Sequence, residues 1–100
     1  YPARVKPYRH KLNSEDVATG TILIEKRSWT YFPAPMREFV IKVGSRRFPT
    51  RIVAEDCAGV GGPHQHHHLV AGHFRDKLSF ERGAIIEIEG AAGAYTARNG

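Results

Sequence analysis

One hundred residues, 41% of them hydrophobic and 10% aromatic, make a chain of single-domain size with enough apolar material for one core. No run approaches the roughly 20 apolar residues of a membrane helix, the opening YPARVKPYRHK lacks the apolar middle of a signal peptide, and the single Cys57 has no partner for an internal disulfide. The net charge of +5 is unevenly spread, with 11 Lys/Arg against 4 Asp/Glu in residues 1–51 and 4 against 6 in residues 52–100. The first half is therefore either a phosphate-binding surface or a solubilising face. These features predict a soluble protein with no membrane partner, cytoplasmic in a bacterium and nuclear in a eukaryote. Because the chain begins with Tyr1 and closes in AAGAYTARNG, the expectation is one domain over residues 1–100, with its core from about 5 to 97, cut from something longer.

Val5 to Leu12 alternates loosely, and Pro2 and Pro7 cannot donate to a ladder, so an edge strand is predicted there. Asn13-Ser14-Glu15-Asp16 has turn or cap chemistry and Thr19-Gly20-Thr21 extends it, which predicts an arm-like loop. Thr21 to Lys26 is a short β-branched run that reads as a strand. Ser28 to Phe32, closed by Pro33 and Pro35, predicts a single helical turn capped by Ser28, with Trp29 and Phe32 on its apolar face. Phe39 to Val43, the turn Gly44-Ser45 and the run Phe48 to Val53 predict a hairpin, followed by a loop from Glu55 to Pro63. His67 to Val70 leads into another strand, Phe74 and Leu78 sit at helical spacing, and Glu81-Arg82-Gly83 is a turn. Ala84 to Glu89 alternates isoleucine with glutamate as a strand with one wet face, and a last strand lies around Ala94 to Ala97.

The stretch Gly61 to Gly72 gathers His64, Gln65, His66, His67 and His68 between a glycine turn and an apolar run. Three readings compete for it: a metal cluster, a proton-responsive interaction surface, and an arm that reads nucleic acid. Consecutive side chains on a strand point to opposite faces, so His64, His66 and His68 can share a side while His67 cannot. A structural zinc site would still need a fourth ligand, and Cys57 would have to swing in. No carboxylate is followed by a Glu-x-Lys pattern of the kind a metal-dependent nuclease uses, and a Cys57, His64, Asp56 triad would require assumed geometry. No catalytic residue and no cofactor is therefore assigned.

The order of features resembles the plant B-three DNA-binding domain. The resemblance is carried by Leu12-Asn13-Ser14-Glu15-Asp16-Val17, by Ile22 to Lys26, by Tyr31-Phe32-Pro33, by Phe48 to Arg51, by Leu69-Val70-Ala71-Gly72, and by Phe74 to Leu78 with Gly83 and Ile85-Ile86. It covers residues 9 to 89. Glu25 and Ala84 depart from the plant pattern, as do Thr19 and the histidines where basic residues are usual; these departures resemble more the same fold in bacterial restriction endonucleases. The resemblance implies a mainly β fold, a seven-stranded open β-barrel with two short α-helices. It also implies sequence-specific binding of double-stranded DNA as the recognition or effector domain of a restriction endonuclease. Mg²⁺ would enter only with a nuclease domain elsewhere in the chain. The alternatives are a transcription-factor domain of the same fold and a His-rich metal- or pH-responsive domain. Its two major-groove arms would map to Lys11, Asn13, Ser14, Asp16, Thr19 and Thr21 on one side and to Asp56, His64, Gln65, His66 and His67 on the other. Arg9, Lys26, Arg27, Arg47 and Arg51 would meet phosphates.

Overall fold

The structure, a computed structural model, describes residues 7–59, 62–91 and 94–100, with the backbone alone for residues 57–59, 62, 63 and 91. Eight strands lie among the described residues: β1 (Tyr8–Lys11), β2 (Thr21–Ile24), β3 (Phe39–Val43), β4 (Arg46–Thr50), β5 (Ile52–Gly59), β6 (Gly62–Val70), β7 (Ile85–Ala91) and β8 (Ala94–Asn99). One α-helix, α1 (Ser14–Thr19), and two 3-10 helices, Lys26–Tyr31 and Arg75–Lys77, complete the set. The strands form a five-stranded sheet in the order β1-β7-β8-β3-β4 and a three-stranded sheet in the order β2-β6-β5. No ladder joins the two sheets among the described residues, so the barrel is open as expected, with eight strands rather than seven.

The difference in count arises at Arg51. Phe48 to Val53 reads as one extended run, but the chain leaves the first sheet after Thr50 and enters the second at Ile52. Side chains stitch the sheets together where backbone ladders do not. The Thr50 hydroxyl donates to the Val70 carbonyl at 2.5 Å, and the Tyr8 hydroxyl donates to the Leu23 carbonyl at 2.6 Å while accepting from the Glu25 N–H. Burial pushes the Tyr8 phenol up to about 12, so it remains a donor throughout the physiological range.

Between the sheets lie Ile22 and Ile24 of β2, Ile41 of β3, Ile52 of β5, Leu69 of β6, Ile86 and Ile88 of β7, and Phe74. Each follows the period-two alternation of its strand, Phe74 excepted, and each buried aliphatic side chain contributes roughly 1.5–3 kcal/mol. Phe32 anchors an aromatic group at one end, packing edge-on against Tyr8 and Tyr31 and stacking on Tyr95. The two predicted helical turns form as 3-10 helices. The first begins at Lys26 rather than beside Ser28, and its preceding residue Glu25 makes no side-chain cap, so Ser28 is not the capping residue.

Candidate nucleic-acid interface

The segment expected as a loop from Asn13 to Thr21 is instead the helix α1, because its polar residues cap one another. The Asn13 Oδ1 accepts from the Asp16 N–H at 2.8 Å, and the Asn13 N–H donates back to Asp16 Oδ2 at 2.9 Å, a reciprocal capping box. Asp16 is 2% exposed and its Oδ2 also meets His10 Nε2 of β1 at 2.8 Å. It is therefore held by the protein's own groups, in place of the DNA contact expected of it as part of the N-arm. Gly20 ends the helix at φ 70, a left-handed conformation that glycine adopts without a Cβ penalty. Arg75 holds the exposed side of this end, donating to the Val17 carbonyl at 3.0 Å with its guanidinium over Phe80. On the helix surface Thr19 donates to the Glu15 carbonyl, so its contact with Thr21 at 2.7 Å has Thr21 as donor.

The second arm is likewise regular where a loop was expected. β5 and β6 run as a long antiparallel ribbon in which Glu55 stands opposite His66, Asp56 opposite Gln65 and Cys57 opposite His64. Residues 60 and 61, at the expected turn, and the Cys57 side chain lie outside what the structure describes. Gln65 donates to Asp56 across the ribbon at 3.1 Å. His64 and His66 approach Nε2 to Nε2 at 2.9 Å, one ring donating and the other accepting.

His67 turns the other way. It is 7% exposed and lies flat on Trp29, ring centres 3.6 Å apart and planes 6° from parallel, while Trp29 donates to the Ile24 carbonyl. Its expected role in reading bases is thereby corrected: it seals the end of the core. Burial, and secondarily the neighbouring His68, hold its pKa below the ordinary value, so the neutral ring is the form that fits. Trp29 pairs with His67 rather than with Phe32, as its helical spacing had suggested.

Between the arms is a groove of about 330 Å³ lined by Asn13, Glu15, Asp16, Leu23, Glu55, Asp56, His66 and His68. It brings together the expected Asn13, Asp16, Asp56 and His66. It adds Glu15 and Glu55, which were not among the expected contacts, and His68, which alternation had placed on the side of His64 and His66. The alternation of β6 was the available signal for His68; no sequence signal fixes the ribbon register that brings Glu55 to His66. His68 Nδ1 is buried with no hydrogen-bond partner among the described residues. Among the described residues no group of three or more His, Cys, Asp or Glu is arranged to hold a metal ion.

The basic candidates divide. Lys11, Lys26, Arg27 and Arg51 are exposed on or beside β1, β2 and β5, with Lys26 above the Trp29 ring and Arg27 bonded to Glu25. Arg9 and Arg47 lie on the five-stranded sheet, Arg9 against Glu87 at 2.9 Å and Arg47 opposite Lys42. None of the six lines the groove itself.

No protein-family model and no curated protein matches the chain. A solved structure does match: a chain of the Arabidopsis FUS3–DNA complex, with a TM-score of 0.72 over 92% of this chain and 93% of that one, at 13% sequence identity. The fold is a B-three-type pseudobarrel. At that identity the likeness lies in the path of the backbone. The helix α1 and the β5–β6 ribbon each contribute residues to the lining of the groove. No described helix is long and apolar enough to cross a membrane.

Proposed function

We propose that this pseudobarrel binds double-stranded DNA by inserting its two arms into the major groove. The observation that carries the reading is the match over nearly the whole chain to a protein solved with DNA, combined with two arms that flank one groove. The dimensions support it, since a major groove admits either an α-helix or a two-stranded ribbon, and the arms are one of each. Gln65 and Asn13 offer amide groups to base edges, and the carboxylate of Asp56, steadied by Gln65, accepts from a cytosine amino group. His64 and His66 extend this row of contacts. Lys11, Lys26, Arg27 and Arg51, with the hydroxyl of Ser14, meet phosphates and set the register, while Thr19 and Thr21, whose protons go to Glu15 and Thr19, shape the end of the helix. Glu15 and Glu55 repel phosphates that approach out of register, which favours a correct site over bulk DNA.

The regulatory setting, the alternative drawn from the sequence resemblance, has better support than the restriction-endonuclease setting. The matched structure is a plant protein bound to DNA, and nothing in that likeness brings in a nuclease. Nuclear action in a eukaryote goes with this reading.

Binding tests it directly. If about six phosphates are contacted, log K falls with log salt with a slope near −5. Gln65→Ala relaxes base preference with a cost of ~1–3 kcal/mol at its cognate position. Absent or salt-independent duplex affinity would contradict the proposal.

A further inference from the structure

The outer face of the five-stranded sheet carries a feature that the arms leave unexplained. In the β3–β4 ladder Lys42 stands directly opposite Arg47, an arrangement in which like charges repel. The carboxylates of this sheet are engaged elsewhere: Glu87 lies between Arg9 at 2.9 Å and Arg98 at 3.2 Å, and Glu89 meets Arg98 at 3.2 Å. Neither Lys42 nor Arg47 forms an ion pair among the described residues. Beside them is a hollow of about 360 Å³ lined by Val40, Lys42, Arg47, Ala94, Tyr95 and Thr96. Val40 is 45% exposed, one of only two large hydrophobic side chains so exposed among the described residues.

We propose that this hollow binds a short acidic segment of a protein partner, with a carboxylate between Lys42 and Arg47 and an apolar side chain on Val40 and Ala94. Residues two apart on an extended chain are about 6.8 Å apart and face the same way. That is also the spacing of Val40 and Lys42 along β3, so the recognised pattern is acid, any residue, apolar. Charge complementarity selects the acid, and the exposed valine selects the apolar neighbour.

A nucleic-acid backbone fits this face less well. It calls for a run of free cations, whereas Arg9 and Arg98 are neutralised by glutamates, and an apolar floor offers a phosphodiester nothing. Addition of the peptide as a new strand on the open edge of β4 is opposed by Pro49, which has no N–H to donate. The peptide lies over the face instead, running along β3.

The test is fluorescence anisotropy with a labelled peptide of repeating Glu-Ser-Leu-Ser, set against the same peptide with serine for leucine and against duplex DNA. Saturable binding of the leucine peptide is expected, with weaker binding of the all-serine peptide. Lys42→Glu with Arg47→Glu should lose about tenfold, ~1.4 kcal/mol, and Val40→Ser should weaken binding as well. Duplex affinity should stay within about twofold in both variants, since the groove between the arms is untouched. Lys42→Glu alone replaces a repulsive pair with an attractive one, so its Tm should hold or rise while peptide binding falls. The proposal is overturned if the leucine peptide does not bind, if these variants leave its binding unchanged, if the all-serine peptide binds equally, or if the charge reversals abolish duplex binding instead.

Discussion

Asp16→Ala should destabilise the protein more than any other change to the N-arm, although the residue sits in a groove that looks functional. The substitution removes two bonds to a carboxylate that is almost wholly buried, one from the Asn13 N–H and one with His10. Each bond to a charged group contributes about 1.5–3 kcal/mol, and part of that total is offset by no longer burying the charge, so a net loss of roughly 3–5 kcal/mol is expected. For a domain of this size, ~3 kcal/mol lowers Tm by roughly 12–24 °C. Asp16→Asn keeps an acceptor for the Asn13 N–H and should lose about half as much. Urea and thermal unfolding by circular dichroism measure these losses, and a double-mutant cycle with His10→Ala isolates the cross-strand term. A loss below ~1 kcal/mol for Asp16→Ala, or strict additivity with His10→Ala, would refute a helix pinned to β1 through this carboxylate.

Three further outcomes follow from the same geometry. His67 has a depressed pKa in the folded state, so the unfolded chain binds more protons just below the ordinary histidine range; stability should fall as pH drops through about 6.5, and His67→Phe should remove part of that slope in pH-dependent urea melts. Glu15→Gln and Glu55→Gln should each tighten non-specific duplex binding by about twofold at low salt, and unchanged titration curves would mean that the groove faces away from DNA. Gly90→Ala should cost about 2–3 kcal/mol, because φ is 145 and an added Cβ would lie 2.8 Å from the Tyr95 Cα; a urea midpoint equal to that of the unaltered protein would contradict this.

Strands were legible where alternation was strict. Ile86 and Ile88 against Glu87 and Glu89, and Phe39, Ile41 and Val43 against Val40 and Lys42, declare an inner and an outer face without any knowledge of the partner strand. The arms were harder to read because their regularity depends on which side chains and strands pair. Asn13 to Asp16 has the composition of a turn, and it becomes helical because its own side chains close a capping box and His10 of a neighbouring strand holds it. The β5–β6 ribbon hid behind glycine, proline and histidine, residue types that suggest a loop until the pairing of Glu55 with His66 is known. The alternation within β6 did separate His67 from His66 and His68. What it could not show was Trp29, 38 residues away along the chain, waiting on the inner side.

Amide chemical-shift mapping by NMR, with a duplex recovered from a random library, tests the central claim most directly. The two-arm account predicts saturable shifts at residues 13–21 and 55–68, with Lys42, Arg47 and Thr96 unmoved. Failure to recover any enriched duplex, or shifts confined to the outer face of the five-stranded sheet, would contradict it.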